Sequence, residues 1–393
     1  MNIKSLLIGS AAALVAVSGA RAADAVFAPE PEPVEYVRVC DAYGAGFFYI
    51  PGTETCLQIS GYVWYQMGAE GFDGTNTPSY HYGLGGPVIG ATAATEGWYK
   101  NIRARVNFDA RSETEWGTLR AYIRLQASGN GNNADLGAAA DQAFIQLGGF
   151  MAGYSESFWV DSKNGGASNY GSHSWTGMYY GYQQRALIGY RFESNGFFGA
   201  ISLEDDALAG EGYMPDVVGK IGYAGGWGTV WLKAAFDEDR TNASTPLAQV
   251  GDSGFAAQLG AQFNIPNMPG SSLRLLATYA DSDNAFGTGS MIGYTSPAGV
   301  VTSYGQAEWS VLASYNQQFS ETLGASIAAQ YFSDLYIPGT DISSGVDAWA
   351  AELSVVWFPV SQFEVRAELG YTDIDVPTVD GTISGFLRFT RYF

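Results

Sequence analysis

From residue 57 onward the chain alternates between apolar and polar positions. Leu57, Ile59, Val63, Tyr65 and Met67 share one parity with Gly61, while Gln58, Ser60, Tyr62, Trp64 and Gln66 share the other. The pattern sharpens further on, where Ile102, Ala104, Val106 and Phe108 interleave with Asn101, Arg103, Arg105, Asn107 and Asp109. It repeats as Ala121, Ile123 and Leu125 opposite Arg120, Tyr122, Arg124 and Gln126. Period two is the signature of extended strands whose faces meet different surroundings. Charged side chains are costly in lipid and tolerated in a wet lumen, so each strand has an outside and an inside.

Carried to the C-terminus, the pattern predicts sixteen strands, at 57–70, 98–110, 117–128, 141–148, 150–155, 182–192, 196–205, 216–224, 228–237, 253–263, 272–281, 303–315, 320–330, 347–358, 361–371 and 382–392. Short connections (193–195, 225–227, 316–319 and Pro359-Val360) alternate with long polar ones at 71–97, 129–140, 238–252, 282–302 and 331–346. Short turns on one rim and long loops on the other are the pattern of an outer-membrane barrel. The expected fold is therefore all-β, a transmembrane antiparallel barrel of sixteen strands. That number leaves a water-filled lumen, not a packed interior. Only a closed sheet can satisfy its backbone N–H and C=O groups in hydrocarbon, and no apolar run beyond the N-terminus is long enough for a helical span.

Composition agrees. Gly makes up 51 of 393 residues, aromatics 15% and charged residues only 15%, with 19 Lys plus Arg against 39 Asp plus Glu. Soluble domains carry roughly 25% charged residues. A formal charge of −20 argues against nucleic acid as a partner, because phosphate contacts need clustered cations.

Lys4, the apolar stretch Leu6 to Ala16 and the small residues of Ala20-Arg21-Ala22 form an export leader, with cleavage expected after Ala22. Residues 1–22 are thus read as signal peptide, 23–56 as a periplasmic N-terminal arm and 57–393 as the barrel. Pro29, Pro31 and Pro33, interleaved with Glu30, Glu32 and Glu35, keep the arm extended. In an exported chain, its only two cysteines, Cys40 and Cys56, are expected to join.

The connection from Glu156 to about Gly181 is the candidate constriction. It carries Glu156, Asp161 and Lys163, then a Gly/Ser/Asn-rich middle and an aromatic run from Trp175 to Tyr180. Folded inward, its acids would face Arg103, Arg105, Arg120 and Arg124, which share one parity on adjacent strands. Such an arrangement puts a transverse field across the passage; alternatively, the arginines brace the loop through ion pairs. Glu352, Glu364, Arg366 and Glu368 also fall on inward positions. The acidic runs Glu204-Asp205-Asp206 and Asp237-Glu238-Asp239 are candidate sites for divalent cations, against the commoner reading of solvated loops. His81 and His173, the only histidines, both fall in connections, so a positioned catalytic base is not expected, and no motif calls for a cofactor or a zinc ion. With the leader removed the charge becomes −22, which favours cations at the channel mouths, while the arginines argue the other way locally; weak cation selectivity is the expectation.

The segment Val34 to Cys56 (VEYVRVCDAYGAGFFYIPGTETC) closely resembles the alphaproteobacterial porin family of rhizobia and brucellae. So do Ile145 to Phe158 (IQLGGFMAGYSESF) and the closing GFLRFTRYF that ends at Phe393. The resemblance implies a homotrimeric general-diffusion porin of the outer membrane, set in lipid and lipopolysaccharide and passing ions and small hydrophilic solutes. Its third long loop, here about 156–181, would form the constriction. Gln58 and Gln66 at inward positions depart from a richly basic wall. Gly61 and Ala104 are small enough to let a neighbouring copy pack closely. The other functions considered are a channel selective for a sugar or organic acid, and a surface adhesin or receptor.

Overall fold

A computed structural model describes residues 38–70, 97–130, 137–160, 163–164, 167–168, 171–175, 178, 182–205, 214–238, 252–295, 301–376 and 381–393. The leader, the Pro/Glu arm, nearly all of loop 71–97, His81 and Asp161 lie outside the described residues.

Sixteen strands close into a ring: β1 (Cys56–Glu70), β2 (Gly97–Thr114), β3 (Gly117–Asn130), β4 (Ala138–Leu147), β5 (Phe150–Glu156), β6 (Gln184–Ser194), β7 (Phe197–Asp205), β8 (Asp216–Gly225), β9 (Gly228–Asp237), β10 (Gly254–Asn264), β11 (Ser272–Ala280), β12 (Ala307–Gln318), β13 (Leu323–Tyr336), β14 (Ser343–Val360), β15 (Phe363–Ile374) and β16 (Thr382–Tyr392). Each pairs antiparallel with the next, and β16 closes on β1 in a register running from Tyr62↔Tyr392 to Glu70↔Ser384. The parity read from sequence holds: Ile59 and Val63 are exposed on the lipid side, while Trp64 and Gln66 are buried within the barrel. Outward aromatics mark both rims, with Trp116, Trp227 and Phe319 at the short turns and Trp98, Trp309 and Trp349 at the opposite ends of the strands. Amphipathic rings favour the membrane–water interface on each side.

The seam between β16 and β1 is finished by the last residue. Phe393 and Gly61 exchange two backbone hydrogen bonds of 3.0 Å each. A Cβ on Gly61 would lie 2.1 Å from the Arg105 carbonyl oxygen and 2.8 Å from the Phe393 ring. The space at Gly61 is therefore filled by the chain's own C-terminus and is not left for a neighbouring copy.

Other departures from expectation have local causes. The β14–β15 turn is Ser361-Gln362, not Pro359-Val360, because Pro359 lies in a register shift between Trp357 and Val360. Proline has no N–H for the ladder, so a bulge suits it; Gln362 then makes the turn with a φ of 63°. The connection expected at 331–346 shrinks to 337–342, since β13 and β14 continue past a bulge at Asp334 to a tight turn closed by the Ile337 N–H to Ile342 carbonyl bond of 2.9 Å. In loop 282–302, Met291–Thr295 and Val301–Tyr304 form a hairpin of their own, so the ring strand begins at Ala307 instead of 303.

Cys40 and Cys56 are disulfide-bonded. The bond closes a small hairpin in which Phe47–Tyr49 pairs with Cys56–Gln58, outside the ring and at the rim of the short turns. Cys40, Phe47 and Cys56 form its buried centre. Arg111 of β2 stacks over the Phe47 ring at 5.1 Å, and the Tyr43 hydroxyl donates to Glu113 at 3.4 Å.

Candidate channel constriction

The connection after β5 turns into the barrel at once. The Phe158 N–H donates to Glu204 Oε1 on β7 at 2.8 Å, and Phe158, Trp159 and Val160 are buried. Their bed is a row of small inward side chains: Val218, Ala235, Ala256 and Ala280 stand opposite one another across β8, β9, β10 and β11. Polar side chains of ordinary length in that row would exclude the loop. Phe286, from the connection after β11, meets Trp159 edge-on at 5.7 Å and helps fill the same space.

The segment 171–175 reaches farther round the wall. His173 sits between two serines, with Nδ1 2.6 Å from Ser314 Oγ on β12 and Nε2 2.8 Å from Ser272 Oγ on β11. Arg274 of β11 donates to the Ser172 carbonyl at 2.6 Å. The Trp175 N–H donates to Glu368 Oε1 of β15 at 2.7 Å, and the Arg388 guanidinium of β16 stacks on the Trp175 ring at 4.4 Å. A connection that leaves the wall at β5 thus touches strands on the far side of the ring. Burial and the neighbouring Arg274 charge push the His173 pKa down to about 3, so the imidazole is neutral in this setting.

The arginines expected to line the passage all point inward, with distinct partners. Arg124 lies 3.4 Å from Glu156 and 3.5 Å from Asp141, and Arg105 lies 3.4 Å from the same Asp141 carboxylate. Their side chains keep 14–16% exposure, so the network remains in contact with the lumen. Arg120 is held by both carboxylate oxygens of Asp109, at 2.8 and 2.9 Å, and Asp109 is shared with Arg111. Arg103 donates to Ser128 at 3.2 Å and flanks Trp64. Glu156 ends β5 and pairs with Arg124 two strands away, so acid and base share one side of the barrel instead of facing each other across it.

Strand parity does not place Asp141 in the inward set. A bulge on β4, opposite the Arg124–Leu125 step of β3, leaves Asp141 without a partner in the ladder, and its carboxylate joins the inward set beside Gln142. The sequence did carry a signal: Asp141-Gln142 puts two polar residues in succession in an otherwise alternating strand. Strand parity reveals neither the docking role of His173 nor the row of small inward residues that receives the loop. Of the acids named as candidate cation sites, Glu204 and Asp237 accept backbone N–H groups inside the barrel, from Phe158 and from Ala285 at 2.7 Å, while Asp206 and Asp239 lie outside the described residues. Glu364 and Glu368 both hold Arg366, at 2.8 and 3.2 Å. Among the described residues, no group of three or more His, Cys, Asp or Glu side chains is placed to hold a metal ion.

Comparison with known proteins decides the lineage, because residues 24–385 match the family model described as "Porin subfamily". The chain belongs to the porin subfamily. This porin is 42% identical over 266 residues to Porin Omp2b of Brucella canis, a match covering 60% of the present chain and 66% of that relative's length. Porin Omp2a of Brucella ovis is equally similar, 42% over 271 residues, covering 60% of this chain and 71% of the relative. Among solved structures, the outer membrane channel DcaP of Acinetobacter baumannii superposes with a TM-score of 0.62 at 13% identity, covering 88% of this porin and 99% of that chain. An anion-selective porin from Comamonas acidovorans gives 0.55 at 11% identity, covering 86% and 100% of the two chains. At those identities the likeness concerns the fold. This porin is a multi-pass β-barrel protein of the outer membrane.

Proposed function

We propose that this porin is a passive general-diffusion channel for ions and small hydrophilic solutes. The observation that carries the reading is the connection after β5: it lies inside a sixteen-strand ring and is tied by hydrogen bonds to β7, β11, β12 and β15. A ring of that size encloses an aqueous lumen, and a loop fastened across it narrows the lumen without forming a separate plug domain.

Arg105, Arg124, Asp141 and Glu156 line the narrowed passage as a mixed-charge network, with Arg103 and Arg120 flanking it on the same wall. Asp161 adds negative charge from the loop. The assembly is a homotrimer set in lipid and lipopolysaccharide. The leader is removed after Ala22, and residues 23–56 lie on the periplasmic side. The reading is of a channel, not an enzyme: His173, the histidine among the described residues, has Arg274 beside it where a triad would need an acid.

Refolded porin in a planar bilayer tests the reading, with neutral sugars of graded size added to the salt. Large conductance that disappears in three equal closures, with small sugars entering and large ones excluded, is expected. A folded barrel that carries no current would overturn it in favour of a plugged surface anchor.

A further inference from the structure

One place in the lumen has positive charge and hydrogen-bond donors without acceptors to match. Five of the inward arginines on β2, β3 and β15 have a carboxylate within 3.5 Å: Arg105, Arg111, Arg120, Arg124 and Arg366. Arg103 and Arg388 form no ion pair among the described residues, although they are only 6% and 3% exposed. Both guanidiniums lie over the Trp64 ring, at 5.5 and 4.6 Å. Glu368, the acid on the neighbouring strand, is already engaged by Arg366, by Ser354 and by the Trp175 N–H. A buried cation without a counter-charge is costly, so the fold has a reason to keep these two.

The neutral groups around them point the same way. Arg388 Nε and Nη2 both donate to Gln66 Oε1 across the β16–β1 seam, which uses up that acceptor. Arg388 Nη1, Gln66 Nε2 and Trp64 Nε1 are all buried and have no acceptor among the described residues. The Tyr62 hydroxyl, two residues along β1, also has no partner among the described residues. Three free N–H donors beside two cations call for a ligand that only accepts. An ionised carboxylate has that character, with two oxygens able to take parallel donors, whereas a neutral sugar brings hydroxyl donors that find no acceptor here. The surroundings are flat and apolar, since Trp64, Trp175 and Phe386 all lie within 4.7 Å of the Arg388 guanidinium carbon.

We propose that the β16–β1 seam carries a subsite for a small organic carboxylate, with Arg388 and Arg103 supplying charge, Gln66 and Trp64 supplying neutral donors, and Trp175 of the constriction loop covering the hydrocarbon end. The ligand reaches Arg388 when Trp175 lifts from it. The inference rests on the channel reading above and adds to it a stopping point for one solute class.

The test uses refolded full-length porin in a planar bilayer at fixed potassium chloride, with benzoate as the probe and benzyl alcohol and inorganic phosphate as controls. Benzoate is expected to reduce single-channel current saturably, and benzyl alcohol is expected to have no saturable effect. Loss of a charge-assisted hydrogen bond costs about 1.5–3 kcal/mol, so Arg388→Gln should raise the half-blocking concentration about tenfold or more. Because Arg388 also bonds across the seam, Arg103→Gln serves as the second variant, and each is first checked for heat-modifiable gel mobility. Half-blocking concentrations unchanged in both folded variants would overturn the subsite. Equal saturation by phosphate would overturn the carboxylate assignment. An open wild-type channel without saturable block removes the subsite alone, while a folded wild type without current removes the channel reading itself.

Discussion

One of the ties that hold the constriction loop on the far wall is a neutral imidazole. Replacing His173 by Ala removes its bonds to Ser314 and Ser272 and leaves two buried hydroxyls without those partners. Neutral hydrogen bonds contribute about 1 kcal/mol each, and a stranded buried group costs at least as much. Docking of segment 171–175 should weaken by roughly 2–3 kcal/mol, or about 30- to 150-fold in its equilibrium. Acid should act in the same direction. A folded pKa of about 3 lies below the ordinary histidine value of 6.5, so the released segment binds a proton that the docked one refuses. Docking is therefore strongest above about pH 6.5 and is lost progressively as pH falls toward 3, at about 1.4 kcal/mol per unit. At about pH 5 the loss is near 2 kcal/mol. Single-channel recording between about pH 7.5 and 5 should show rising open-channel noise and a larger mean conductance in the wild type. His173→Gln, which can hydrogen-bond but cannot titrate, should be insensitive over the same range. If His173→Gln keeps the wild-type response, the acid sensitivity belongs to carboxylates elsewhere and the latch argument fails.

Asp141→Asn removes the carboxylate shared by Arg105 and Arg124; reversal potentials in a salt gradient should move toward anion preference, and a shift toward cations would show that Asp141 does not face the permeating ions. Gly61→Ala should destabilise the barrel by about 1–3 kcal/mol through overpacking against Phe393 and the Arg105 carbonyl, read as a lower urea midpoint in detergent. An unchanged midpoint would mean that the terminal ring is not seated there in solution. Reducing Cys40–Cys56 should expose the 38–55 hairpin to protease while the sheet keeps its heat-modifiable mobility, because the bond constrains a short loop outside the ring and stabilises it by about 3 kcal/mol. Protection unchanged by reductant would assign the ordering to the Arg111 and Glu113 contacts alone.

The barrel was legible because each strand has two distinct environments, and a period of two records them directly. Ile102 to Asp109 could be sorted into lipid and lumen sides from parity, and the structure keeps that sorting. Ladder logic failed where parity itself is suspended. Asp141 and Asp334 sit at bulges, Pro359 at a register shift, and residues 337–342 in a hairpin that extends the sheet beyond the expected strand ends. The constriction was legible in part. Its length and aromatic end marked the loop at 156–181, but what fixes a loop inside a lumen is the shape of the surface that receives it. Val218, Ala235, Ala256 and Ala280 are far apart in sequence and become one surface only when the register of four strands is known. The same holds for charge. Four arginines of like parity looked like a uniform basic ladder facing acids across the passage, yet Asp109, Asp141 and Glu156 neutralise three of them on their own side. Among the described arginines of β2, β3, β15 and β16 that point inward, Arg103 and Arg388 form no ion pair, and they lie beside the seam where the last strand meets the first. The selectivity of such a wall follows from which arginines lack a carboxylate, and a count of basic residues along the strands does not show which those are.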